Sequence, residues 1–221
     1  MRWLGFILLA LIVGVLLYRR CSMSHQKWFQ IGVFGGLLSL EVVKQLYLLW
    51  SGQYNYWSPP LHLCGLGLFM IGWHVFWPNR TTATLLYSLT LPGAAIALLF
   101  PGWANDPVGS FLHIHSFIFH LLLVLYVAML LSARQLCLYV RDLWRSALFL
   151  IVFVPLVYMY NGAFQTNFMF LNAPVKGTPL QWLYEAFGAS GYLVSLAIVV
   201  LLLWVFLYIP VFKRERREKD V

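Results

Sequence analysis

An all-α, polytopic membrane helix bundle is the fold this sequence predicts, and three observations predict it: an apolar excess, the spacing of the apolar runs, and where the positive charges fall. Of 221 residues, 62% are hydrophobic and only 10% are charged, whereas a soluble domain is nearer half apolar and a quarter charged. Too little polar surface exists to cover such a chain, so the excess must face lipid. A formal charge of +8 on a soluble protein would point to nucleic acid. Here the positive residues stand between apolar runs, where they set topology, and no nucleic-acid partner is expected. The length suits a single transmembrane domain over residues 1–221, with residues 212–221 forming a basic cytoplasmic tail.

Apolar runs separated by polar or Pro/Gly clusters predict seven spans, at roughly Trp3–Tyr18, Trp28–Trp50, Leu61–Trp77, Ala83–Phe100, Phe111–Ser132, Ala147–Phe164 and Gln181–Phe212. The last run is longer than a membrane needs, so its start is expected to lie along the interface or to tilt. The first run ends in Arg19-Arg20 without a small-residue cleavage site, which reads as a retained span rather than a signal peptide. Alternate connections carry very different charge. One set holds Arg19, Arg20, Lys27, Arg80, Arg134, Arg141, Arg145 and the tail cations; the other holds Arg2 and Lys176, a bias of twelve to two. Lys/Arg-rich loops stay in the cytoplasm, so the N-terminus is expected outside and the C-terminus inside. The short termini favour a bacterial plasma membrane.

Trp3, Trp28, Trp50, Trp57, Trp77, Trp103, Trp144 and Trp182 fall near the predicted span ends, the depth amphipathic rings prefer. Gly32 and Gly36 make a small-x-x-x-small pair suited to close helix approach. Pro92-Gly93 and Pro155 each remove a backbone donor and should bend their helices. The three cysteines, Cys21, Cys64 and Cys137, are odd in number, widely scattered and without C-x-x-C spacing, so no disulfide framework is expected.

The chemistry-bearing residues collect at the outer ends of the predicted spans. Glu41 and Gln45 are i,i+4 neighbours, with Lys44 at i+3 from Glu41. Charges at that depth are costly unless paired or hydrated, so they either line a polar interior or simply join helices. Pro59-Pro60 precedes His62 and Cys64. On a continuous helix those two would point to opposite sides, so they approach each other only if the backbone there is irregular. On the fifth span His113, Ser116 and His120 share a face, with His120 ~10 Å deeper than His113 at a rise of ~1.5 Å per residue. A neutral imidazole at that depth can take a proton from a thiol; it can equally bridge helices by hydrogen bonds. Asn161, Gln165, Asn167 and Asn172 surround Phe168-Met169-Phe170-Leu171, and Asn side chains can steady an oxyanion or merely form turns. Asp106 and Glu185 add outer carboxylates. His62, His113, His115 and Cys64 could hold a metal, yet no HxxxH or HExxH is present and one cysteine makes a poor zinc set, so no metal is expected.

These pieces taken together resemble a known group. Glu41-x-x-x-Gln45, Pro60-Leu61-His62-Leu63-Cys64, the Pro/Gly-broken fourth span running to Phe100-Pro101, His120, Asn161, Asn167-Phe168-Met169-Phe170-Leu171 and Pro179-Leu180 are similar to the bacterial YwaF-like integral membrane proteins, related to the transmembrane protein 164 acyltransferases. The resemblance covers roughly Glu41 to Pro210. It implies a seven-helix fold and cysteine-dependent acyl transfer from a membrane phospholipid donor to a lipid or lipoprotein acceptor. Cys64 would carry the nucleophile and His120 the base, with His62 the second choice. Glu41 and Gln45 would orient the site, with Asn161, Asn167 and His113 as further substrate-side residues. No cofactor is implied, because an ester donor is already activated. Gly65 stands where related sequences often carry a polar or acidic residue. The competing expectation is a non-enzymatic lipid-binding protein or transporter with a polar intramembrane pathway through Glu41, Lys44 and His120.

Overall fold

The computed structural model describes residues 2–102, 107–175 and 177–219. Trp103, Asp106 and Lys176 lie outside them, as do the side chains of Arg2, Trp3 and Lys219. Helices follow one another along the described residues without a strand: α1 (Arg2–Arg20), α2 (Met23–Trp50), α3 (Leu63–Phe76), α4 (Arg80–Leu85), α5 (Leu91–Leu99), α6 (Phe111–Ser132), α7 (Leu143–Phe164) and α8 (Pro179–Lys219). Among the described residues five helices are long and apolar enough to cross a membrane: Met23–Trp50, Arg80–Leu99, Phe111–Ser132, Val140–Phe164 and Gly191–Glu218. Leu63–Phe76 is apolar but shorter; 14 residues rise ~21 Å, against a hydrocarbon core of ~30 Å. Trp28, Trp50, Trp57, Trp77, Trp144 and Trp182 are all exposed.

The helix ends follow local chemistry. Asn79 caps α4 by a reciprocal bond pattern with Thr82, and Ser110 caps α6 by accepting from the His113 N–H. Between α4 and α5 the chain makes one wide π-helical turn, Leu86–Thr90, in which the Leu91 N–H reaches back five residues to the Leu86 carbonyl. Pro92 follows directly. A proline ring collides with the carbonyl four residues back, and the widened turn accommodates the collision that an ordinary α-turn would have to relieve by kinking.

By its internal contacts the chain divides into two units, Met1–Cys137 and Leu138–Val221. In the first, α6 is the central post. It runs parallel to α1, since Gly14 meets Leu125 and Tyr18 meets Gln135. It runs antiparallel to α2, since the Tyr47 and Phe111 rings lie 4.6 Å apart while Gly36 faces Leu122. A Cβ on Gly14, Gly67 or Gly72 would stand under 3 Å from a neighbouring side chain, so these three glycines mark the tightest helix approaches. Gly36 has ordinary contact with α6, and Gly32, its expected partner in a packing motif, has nothing within 4 Å. A closed polar network pins one end of the unit. The Tyr18 hydroxyl donates to Gln135 Oε1 at 2.5 Å, Gln30 donates to the Tyr18 oxygen at 2.7 Å, and Gln135 donates to Gln26 Oε1 at 2.7 Å. Each amide there has its partner, as a dry interior requires.

In the second unit, α7 ends at Gln165 in left-handed conformation, and α8 is interrupted at Gly188 (φ 66°, ψ −178°). The overlong seventh run is therefore two helical pieces, and a residue without Cβ stands where the backbone breaks. The later piece, from Gly191, is the one that is membrane-long.

Candidate functional site

Two consecutive prolines keep the chain before Cys64 out of helical conformation. The Leu61 N–H bonds the Pro59 carbonyl at 2.9 Å, and His62 is extended (φ −66°, ψ 151°) as the N-cap of α3. The first helical bond runs from the Leu66 N–H to the His62 carbonyl at 3.1 Å. Cys64 is thus the second residue of α3, in a first turn whose N–H groups have no acceptor within the helix and whose dipole favours negative charge. Gly65 has a steric reason to be glycine: a Cβ there would run into the Pro60 carbonyl. A larger residue, polar or acidic, could not keep this path into the helix.

The register of α3 on α6 locates Cys64 within the unit. His62 lies within electrostatic reach of His120, a Cβ on Gly67 would stand 3.3 Å from Leu123 Cδ2, and the His74 and Tyr126 rings meet edge to face at 6.3 Å. All three contacts advance in the same direction on both helices, so α3 and α6 are parallel, and Cys64 lies between the His62–His120 and Gly67–Leu123 contacts. The His120 ring itself has a defined tautomer. Nδ1 is 2.7 Å from the Ser116 carbonyl; a carbonyl can only accept, so Nδ1 carries the hydrogen and Nε2 the lone pair. That is the form in which a histidine acts as a base.

Beside these lies the carboxylate cluster at the end of α2. Lys44 Nζ is 2.8 Å from Glu41 Oε1 and 3.0 Å from Oε2. Gln45 Nε2 donates to Glu41 Oε1 at 2.6 Å and to the Ser58 carbonyl at 2.8 Å, which ties α2 to the Pro59-Pro60 segment. Both amide hydrogens are used, which fixes the orientation of the Gln45 amide and leaves Oε1 buried without a hydrogen-bond partner. Lys44 lies within electrostatic reach of His62, and Lys44 and Glu41 both lie within reach of His115. The first unit therefore brings Glu41, Lys44, Gln45, Ser58, His62, His115 and His120 to one end. His113 is buried near this end, its ring 5.1 Å from Phe117. Among the described residues no group of three or more His, Cys, Asp or Glu is arranged to hold a metal ion.

Asn161 and Asn167 belong to the second unit, where both amides fold the loop after α7. Asn161 is fully buried. Its Oδ1 accepts from the Phe168 N–H at 2.8 Å and from Thr166 Oγ1 at 2.9 Å, and its Nδ2 donates to the Phe168 carbonyl at 3.0 Å. Asn167 Oδ1 accepts from the Asn172 N–H at 2.9 Å, and its Nδ2 donates to the Ala173 carbonyl at 2.8 Å. The loop they hold has Met169 and Phe170 at positive φ (58° and 56°), backbone that needs such support. The Tyr192 hydroxyl adds a bond to the Phe170 carbonyl at 2.9 Å.

Two residues of the α2–α3–α6 cluster had no role assigned from sequence beyond a passing place among metal candidates for one of them: Ser58 and His115. Ser58 contributes its backbone carbonyl, which no residue pattern reveals. His115 is two residues from His113 and shows no helical pairing with His120 on sequence spacing. Its placement became visible only once α2 was docked against α6.

Compared with known proteins, the chain matches the family model described as the TMEM164 family over residues 1–208. No curated protein and no solved structure matches it.

Proposed function

This chain belongs to the TMEM164 family, and from that premise we propose that it is a membrane acyltransferase, moving a fatty acyl chain from a phospholipid to a lipid or lipoprotein acceptor through a thioester on Cys64. The observation that supports this most directly is the α3–α6 register, with Cys64 between the contact of His62 with His120 and that of Gly67 with Leu123. The Nδ1–H···O bond of His120 to Ser116 supports the base assignment. In the first step His120 Nε2 takes the Sγ proton and the thiolate attacks the donor ester carbonyl. The tetrahedral adduct collapses with cleavage of the C–O bond, and the departing lysolipid oxygen receives the proton from His120. In the second step an acceptor hydroxyl or amine gives its proton to the base, attacks the thioester, and the C–S bond breaks to restore the thiol. Ester to thioester to ester or amide needs no outside activation, so no cofactor takes part. The first-turn N–H groups of α3 are suited to the oxyanion. Glu41 and Gln45 orient the α2 wall of the site, His62 is the alternative base, and His113 is a further substrate-side residue.

In the same reading α1 and α3 join the five long helices to make seven spans. The 19 residues of α1 rise ~28 Å. The twelve-to-two charge bias then puts the N-terminus outside, the C-terminus in the cytoplasm, and Cys64 on the extracytoplasmic side of a bacterial plasma membrane, as for a YwaF-like protein.

Intact-mass analysis of purified protein incubated with phospholipid tests the proposal. A fatty-acyl mass on the wild type, removed by hydroxylamine and missing from Cys64→Ala, is the expected result, with loss of the adduct in a folded His120→Ala. An unchanged rate in His120→Ala moves the base to His62. Lipid remodelling that persists in Cys64→Ala refutes the thiol mechanism and favours the polar-pathway reading built on the Glu41–Lys44 pair.

A further inference from the structure

The last helix sorts its charges by face. Trp204, Tyr208 and Val211 make a buried stripe along α8, and at ~100° per residue that stripe leads into Arg214, Glu215 and Glu218. All three are engaged there. Arg214 Nη2 donates to the Leu138 carbonyl at 2.5 Å, the Val140 N–H donates to Glu215 Oε1 at 2.9 Å, and Glu218 lies 3.6 Å from Arg214. Leu202, Val205, Phe206 and Ile209 make the exposed stripe on the other side. By the same rotation it leads into Lys213, Arg216 and Arg217. These three are exposed and, among the described residues, held by no ion pair or hydrogen bond. Between Lys213 and Glu218 the buried face therefore carries both acids, and the outward face carries cations alone.

Depth gives that face its partner. The membrane-long piece of α8 starts at Gly191, and from there to Phe212 it rises ~32 Å, against a hydrocarbon core of ~30 Å. Lys213, Arg216 and Arg217 thus begin at the level of the lipid phosphates, directly beyond an apolar lane that faces outward. A signal that stops translocation needs positive charge after the span but does not depend on which side of the helix bears it. A helix end that meets only water has no reason to keep its acids off one side. A headgroup of net negative charge gains from all three cations, whereas a zwitterionic one brings a positive group of its own. We propose that this face of α8 binds an anionic phospholipid, with its acyl chains along residues 202–209 and its phosphate among Lys213, Arg216 and Arg217. The lipid is a bound partner and is not acylated, so the proposal stands apart from the acyl-transfer reading.

Native mass spectrometry of the full chain, released from detergent micelles, reads bound lipid and oligomeric state together. The probes are phosphatidylglycerol and phosphatidylcholine with the same acyl chains, titrated separately. Wild type should bind phosphatidylglycerol about tenfold or more tighter than phosphatidylcholine. Lys213→Gln/Arg216→Gln/Arg217→Gln should bring the two lipids within about threefold of each other. Arg19→Gln/Arg20→Gln/Arg134→Gln removes three exposed cations elsewhere and should keep most of the preference. Arg216→Lys/Arg217→Lys retains the charge and should bind phosphatidylglycerol within about threefold of wild type. Arg216→Gln/Arg217→Gln keeps Lys213 beside the span and carries the test, with a loss of about threefold or more, where the triple variant does not insert. Equal binding of the two lipids to wild type, or a triple variant that keeps the preference, overturns the proposal. An equal loss in the Arg19/Arg20/Arg134 control makes net charge the cause and also overturns it. A lipid-free dimer puts a second copy of the chain on this face and overturns it as well.

Discussion

Replacing Gly65 by alanine isolates the geometry that positions Cys64. On an open helix face the change would stabilise, because alanine is better than glycine in a helix by up to ~1 kcal/mol. At Gly65 the added Cβ would stand 2.8 Å from both the carbonyl carbon and the Cβ of Pro60, and closer still to its oxygen. Comfortable carbon contacts begin near ~3.5 Å, so ~0.7 Å or more of displacement is needed. The obstacle is backbone, and prolines at 59 and 60 stiffen it, so the start of α3 moves and carries His62 and Cys64 with it. Overpacking of this kind costs ~1–3 kcal/mol, which set against the propensity gain gives a net loss of up to ~2 kcal/mol. A catalytic group misplaced by ~1 Å loses on the order of 10²-fold, so thioester formation should fall ~10- to 100-fold. The assay is the initial rate of hydroxylamine-labile acylation in nanodiscs, with Tm measured on the same samples. Gly35→Ala is the control, since a Cβ there meets nothing within 4 Å. A Gly65→Ala protein as active as wild type, with Tm equal to or above that of Gly35→Ala, refutes the crowding argument. The Tm comparison stands independently of the chemistry.

Three further outcomes follow from the same reasoning. Asn161→Leu removes three buried bonds of 2.8 to 3.0 Å, two of them to the Phe168 backbone. It should cost ~3–5 kcal/mol in denaturant unfolding, and a loss under ~1 kcal/mol would mean the loop does not depend on it. Glu41→Gln leaves the Lys44 charge unmatched at low exposure. It should destabilise by ~2–3 kcal/mol, and adding Lys44→Met should recover part of that loss; a double variant worse than the single one contradicts the pairing. Gln135→Leu cuts the bonds to Tyr18, Gln30 and Gln26 and should lower stability by ~2–4 kcal/mol. Acylation should hold within about twofold, since the network lies at the far end of the unit, and a larger change in acylation than in Tm would contradict that placement.

Hydrophobic runs and turn residues made most of the helices legible. Phe111–Ser132 was readable to the residue, because Ser110 caps one end and polar residues follow the other. The excess length of the seventh run pointed to a start lying along the interface or tilting, not to the break that the backbone makes at Gly188. The span count was less direct: α3 is short because Pro59-Pro60 holds four residues out of the helix, and hydropathy alone cannot see that. At the site, Cys64, His120, Glu41 and Gln45 stood out as costly residues in an apolar chain. Asn161 stood out for the same reason, yet its amide is taken up by the backbone of its own loop. The opposite happened at His115. One histidine of several on α6, it joins the cluster only because α2 packs on α6 and brings Glu41 and Lys44 within its reach, which is a tertiary property.

The wide turn at Leu86–Thr90 also sets the phase of everything after it. Five residues wound at the looser pitch lag an ordinary α-helix by roughly a quarter turn. Without that lag, Thr82 and Thr90, eight residues apart, would point some ~80° away from each other. With it they fall in line, Thr82 on His74 at 2.7 Å and Thr90 on the Met70 sulfur at 3.4 Å, both read by the same side of α3. Removing one residue from that turn would put the two threonines seven apart in a regular helix, only ~20° out of line, so the turn takes up one residue of extra length and still leaves Thr90 on Met70 and Gly93 against Leu63, next to the thiol. The wide turn works as slack in one rod, swallowing a residue without turning its later half away from α3.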